Sequence, residues 1–227
     1  MDASNTAVDP KASYEVNTIG LKAGPIHQKL LAYYNDLHNA RAEGNLVTIE
    51  KLEQLVPPLI EEFERTECKA TPNPSWLASK MLAGFQVARG DFQSALKFEL
   101  EGYRHADEEP PIGDAKARDR RRSVSASNVA DEMWRVGRAA EGLEWALLSV
   151  DLWPENSINV LVLGICAFHA GLKEKADEIF AELSELADFT NERDTLAACL
   201  AYERELRHMQ ELKSVQKLLA EMGEQLR

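Results

Sequence analysis

The sequence contains no apolar run approaching the ~18 residues that a membrane-crossing helix needs. Its first residues lack the basic start and following apolar stretch of a secretory signal, so none is expected. No long alternation of β-branched and polar residues occurs, which argues against a sheet. Cysteine is scarce: Cys68, Cys166 and Cys199 are odd in number and lack metal-type spacing. They read as reduced thiols of a cytoplasmic protein. Basic residues are outnumbered, 26 against 38 acidic, for a net charge of −12. A surface of that sign does not neutralise phosphates, so no nucleic-acid partner is expected.

Chemistry-bearing motifs are missing as well. His27, His38, His105, His169 and His208 are scattered, with no His-Glu-x-x-His pattern among them. There is no Gly-x-Ser-x-Gly elbow, phosphate loop or dinucleotide glycine fingerprint. Cys166 lies in an apolar helical run and reads as a small core residue rather than a nucleophile. The expectation is a protein that is not an enzyme, with no cofactor, no metal and no membrane partner.

What remains is ordinary for a globular chain: 227 residues, 44% hydrophobic and 28% charged. A chain of this length buries roughly 70% of its unfolded surface. Glycine and proline sit at punctuation points between apolar runs with helical spacing, which predicts an all-α fold.

The most informative stretch runs from Ser123 to Asp188, where Gly137 and Gly171, 34 residues apart, each occupy a short turn. Pro154 marks the seam between the two halves. In the second half, small residues fall at Gly164, Gly171 and Ala176, and large ones at Leu163, Phe168 and Phe180. Antiparallel helices approach closely only where small residues on one meet bulk on the other. This spacing resembles the tetratricopeptide repeat, a helix-turn-helix of about 34 residues. Leu163-Gly164 match the Leu-Gly pair of that family's first helix, Gly171 its turn, and Ala176 and Phe180 its second helix. The unit before matches less well: Ala130 replaces the first Gly, Gly142 replaces the Ala, and Pro154 matches the closing Pro. Trp76, Gly90 and Ala95 mark another unit, and Gly44-Asn45-Leu46 a fainter echo. The resemblance implies an irregular α-solenoid of about four hairpins with a long C-terminal capping helix.

Read in order, residues 1–22 lack an apolar period and form a tail expected to be disordered. Residues 23–70 form an N-terminal hairpin, with Pro25 opening its first helix. Its second helix, about Thr48 to Glu67, should bury Leu52, Leu55, Ile60 and Phe63, and Pro57-Pro58 should kink it at Val56 or split it. Residues 71–189 hold the repeats, with Asn73 as an N-cap and an insertion near 108–123 that widens the turn spacing. Residues 190–227 form an amphipathic helix that could run unbroken to Leu226, caps the last repeat, and offers a surface for oligomer formation.

The insertion carries a basic island: Lys116, Arg118, Arg120, Arg121 and Arg122. Three readings compete. The arginines pair with neighbouring acids at a helix start, or they dock an acidic partner, or Arg120-Arg121-Arg122-Ser123 is a kinase substrate with Ser123 as the candidate phosphosite.

Two functions follow. The first is a non-enzymatic interaction module (an adaptor, chaperone, scaffold or assembly subunit) whose groove takes a protein segment or helix. The alternative is a regulatory accessory protein acting through its tail or the 116–122 island. In the resembled family the first helix of each hairpin lines the concave face. That implies a groove of Ser127, Asp131, Trp134 and Arg135 with Ile158, Leu161, Ile165 and Phe168, and His169 at its edge. Leu161 and Ile165 stand where chaperone-docking members of the family carry Lys and Asn, so capture of a terminal carboxylate is not expected. The groove must be filled, either by a partner or by the chain's own tail or C-terminal helix.

Overall fold

A computed structural model describes residues 24–67, 74–108, 116–183 and 204–225. Among these residues there is no strand; the fold is all-helical. The tail 1–22, the Asn73 cap, the whole 109–115 break and the start of the C-terminal segment lie outside the described residues. The helices are α1 Pro25–Glu43, α2 Leu46–Thr66, α3 Pro74–Arg89, α4 Phe92–Glu108, α5 Ala117–Arg135, α6 Ala139–Leu152, α7 Ser157–His169 and α8 Lys173–Leu183. A 3-10 segment, Arg204–Glu211, precedes α9, Lys213–Gln225.

Four turns share one chemistry. Gly44, Gly90, Gly137 and Gly171 have φ of 70°, 78°, 80° and 84°. A side chain is strained there, which is why glycine stands at each turn. At Gly171 the N–H donates to Phe168 O and the next N–H, of Leu172, reaches back to Ala167 O, both at 2.9 Å. Asp91 to Gln86 and Arg138 to Met133 repeat the longer bond, and these carbonyls would otherwise be orphaned at a helix end.

Each helix packs on its neighbours in sequence: α1 on α2 and α3, α4 on α3 and α5, α6 on α5 and α7, α8 on α7, and α9 on α8. α5 also packs on α7. Small residues set how close these pairs come. A Cβ on Gly164 would meet the Phe180 ring at 2.8 Å, and one on Gly142 would meet Ala130 O at 3.0 Å.

Three details differ from the sequence reading. Helix α2 is one piece that contains Pro57 and Pro58, so of the two alternatives the split does not occur. Both prolines are exposed, and Val56, Leu59 and Ile60 are buried around them, so packing holds the helix through the lost bonds. Leu55 is exposed while Val56 and Leu59 take the core positions. The C-terminal segment is not one helix to Leu226: Arg204–Glu211 is 3-10, and Leu212 stands at a bend before α9. Leu206, Met209, Leu212, Val215 and Leu218 are buried all the same, because a 3-10 turn and an α turn can present the same apolar stripe to one surface.

Candidate partner-binding site

Helix α5 begins inside the basic island and ends in the proposed groove. The island is its N-terminal half. Arg118 and Arg122 both pair with Asp107 at the end of α4, at 3.3 and 3.0 Å. Arg122 also donates to Tyr103 Oη at 3.3 Å, and the Arg120 guanidinium lies 5.6 Å from the Trp153 ring centre. Arg121 is buried. The island therefore ties α5 to α4 and to the end of α6, and only Lys116 and Arg120 are exposed.

Ser123 is fully buried, and this corrects its reading as a phosphosite. Its hydroxyl donates to Ser149 O at 2.8 Å and accepts from Asn159 Nδ2 at 2.7 Å. Asn159 also donates to Trp153 O at 3.1 Å, so one amide links α5, α6 and α7. A kinase reaches such a hydroxyl only if the helices part. The signal for this network was the single Asn in the apolar run of α7.

At the other end of α5, the structure brings most of the sequence-derived groove together. Trp134 Nε1 donates to Asp131 Oδ1 at 2.8 Å, and Arg135 Nε to Asp131 Oδ2 at 3.2 Å. The Arg135 guanidinium lies 4.5 Å from the Trp134 ring centre and 5.2 Å from that of Phe92. Trp134 stacks on His169, which in turn meets Phe168 edge-on at 5.5 Å. Leu161, Ile165 and Phe168 belong to the same apolar cluster as Trp134.

These groove residues are closed from solvent: Trp134, Leu161, Ile165 and Phe168 are 5, 6, 4 and 8% exposed. The cluster that holds them also contains Leu206, Met209, Leu212, Val215 and Leu218 of the C-terminal segment. That segment is fastened to α8: Ser214 N–H and Oγ donate to Asp177 Oδ1 at 2.8 and 2.6 Å, and Lys173 pairs with Glu211. Of the expected groove only Ile158, 39% exposed, and the half-buried Asp131 and Arg135 face outward. Ser127 is buried. His169 was assigned only to the edge; its place under the Trp134 ring had no signal in the sequence.

The electrostatics of the site are those of a packed surface. His169 is held below the usual histidine value, first by burial, then by Arg135 and His208. Burial, with Asp131 nearby, pushes the Cys166 thiol far above its ordinary range, so it is not a thiolate nucleophile. Cys166 Sγ instead lies 3.5 Å from Ala130 O. Among the described residues no group of three or more His, Cys, Asp or Glu is arranged to hold a metal ion. No protein-family model matches the chain, and no curated protein matches it significantly.

Proposed function

We propose that the chain is a non-enzymatic protein–protein interaction module, an irregular tetratricopeptide-like solenoid acting as an adaptor, chaperone or assembly subunit. The observation that carries this is the repeated turn: Gly44, Gly90, Gly137 and Gly171 all in the left-handed region, each closing a hairpin that packs on the next. Nearest-neighbour packing of this kind is how helical repeats build extended binding faces. The 3-10 segment and α9 serve as the cap. The partner is a protein segment or helix, taken on the face formed by α5 and α7, where Asp131, Arg135 and Ile158 remain accessible. The acidic balance, −12, supports a protein rather than a nucleic acid. Among the described residues no helix is long and apolar enough to cross a membrane.

The test is to isolate a stoichiometric protein partner and titrate it against the wild type, Ile158→Glu and Asp131→Lys. Ile158 is 39% exposed, so folding should survive there; Asp131 also accepts from Trp134 Nε1 and Arg135 Nε, so a thermal melt must show Asp131→Lys folded before its affinity is read. At least a tenfold loss of affinity is expected for each variant. Unchanged affinity in both would overturn the assignment of this face.

A further inference from the structure

The apolar core is divided. One cluster joins α1, α2 and α3 through Leu30, Leu37, Phe63 and Phe85. Another joins α5 to α9 through Trp134, Ile165, Phe180 and Met209. Between them sits a small cluster: Leu96 of α4 against Val129 and Met133 of α5. The packing of α4 along α5 is the main contact between the two halves of the described chain.

Beside that small cluster the seam is polar. Lys80 Nζ of α3 pairs with Glu99 of α4 at 2.9 Å, their side chains 11% and 4% exposed. Asn128 Nδ2 of α5 donates to Glu99 Oε1 at 3.0 Å. One turn along α5, Glu132 is 3% exposed, and its Oε2 is buried with no hydrogen-bond partner. Lys80 is already engaged with both oxygens of Glu99, at 3.1 and 2.9 Å. A second ionised carboxylate in such a place is costly, because water is removed and the nearby cations are already paired, Lys80 with Glu99 and Arg135 with Asp131.

The charges acting on Glu132 come from three helices. Asp131 and Glu99 disfavour its ionisation, while Arg135 and Lys80 favour it. Burial is the largest influence, and the carboxyl is pushed up to about 9. The buried positions of α6 and α7, which also pack near α5, are uncharged, and the half-buried His169 lies beyond Trp134.

We propose that the α4–α5 seam is a proton-dependent joint: a neutral Glu132 closes it, and ionised Glu132 loosens one half of the chain from the other. The physical reason is that opening the seam lets water solvate the new charge; what opposes parting is the small Leu96–Val129–Met133 cluster with Val136 and Trp145 against it, the Tyr103–Trp145 contact, and the partly exposed Arg118 and Arg122 pairs with Asp107. The joint is fully closed at low pH. Above the ordinary glutamate value of 4.5, closing weakens roughly tenfold per pH unit relative to a solvated Glu132, up to about pH 9. This inference does not depend on what the module binds.

The experiment uses the full chain, wild type and Glu132→Gln, which keeps the shape and removes the charge. Radius of gyration by small-angle scattering and helix content by circular dichroism are followed from pH 6 to 9.5. The wild type should expand as pH rises with helix content kept, and Glu132→Gln should hold a constant radius. The same expansion in both proteins would overturn the proposal, as would a wild type whose helix content collapses together with its radius. A carbon-13 titration of the Glu132 carboxyl in the wild type decides independently, even if the variant fails to fold. Titration near 4.5 refutes the joint, and titration well above neutrality supports it.

Discussion

The Trp134 indole lies nearly flat on the His169 imidazole, ring centres 4.5 Å apart and planes 14° from parallel. This contact carries the last turn of α5 onto the last turn of α7. It also places a residue type enriched in binding hot spots inside the fold instead of on its surface.

Trp134→Ala should therefore behave as a core truncation. With 5% of the residue exposed, its loss should cost ~3–5 kcal/mol, read as a shift of the urea midpoint. Leu161→Glu should be at least as damaging, since it buries a charge without a partner. A loss under ~1 kcal/mol in both would mean that the cluster is loosely packed and the groove is open.

Ser123 should resist modification. A basophilic kinase incubated with the folded chain should leave its intact mass unchanged, because the hydroxyl is committed to Ser149 O and Asn159 Nδ2. Ser123→Ala removes both bonds and should cost ~1–3 kcal/mol by denaturant titration. Stoichiometric phosphorylation of Ser123 in the native protein would refute this placement.

The arginines of the island should divide by burial. Arg118, Arg120 and Arg122 changed together to Ala should lower the melting temperature only slightly, since partly exposed pairs contribute ~0–1 kcal/mol each. Arg121→Ala should lower it more than any one of these, because its side chain is packed inside at 4% exposure. Differential scanning calorimetry on the two variants checks the order. Equal shifts would show that Arg121 is not a packing residue.

The two buried histidines should weaken the fold on mild acidification. His169 and His27 are both held below their ordinary value of 6.5 mainly by burial, with Arg135 and His208 adding to the effect at His169 and Glu67 opposing it at His27. The unfolded chain takes up these protons before the folded one does. Their contribution is therefore fully present above pH 6.5 and declines as pH drops below it. Glu132, neutral in the fold, acts with the opposite sign over this range, so the histidines are read in the Glu132→Gln background, where the melting temperature should decrease from pH 7.5 to 5. His169→Phe in that background, which keeps an aromatic ring against Trp134, should decrease less. A double variant that tracks Glu132→Gln across this range would show that His169 does not contribute.

The sequence by itself determined the helical class, the hairpins and their turns. Those features are local: apolar spacing, a glycine where φ must be positive, an Asn before a helix start. Asn45 and Asn156 cap α2 and α7 by accepting from Thr48 N–H and Ile158 N–H. Trp134, Leu161, Ile165 and Phe168, grouped from the sequence through the family resemblance, share one apolar cluster.

Tertiary structure decided everything that depends on distance along the chain. Whether Trp134 and Leu161 face water depends on what covers them, and the C-terminal residues in their cluster lie at positions 206–218. Whether Arg122 is a docking residue depends on Asp107 being 3.0 Å away. Whether Ser123 can be reached depends on α6 and α7 closing over it. Glu132 shows the limit most plainly. Nothing in the sequence singled it out beside Asp131. Only the packing of α4 against α5, with Lys80 already committed to Glu99, removes its water and its counter-ion together.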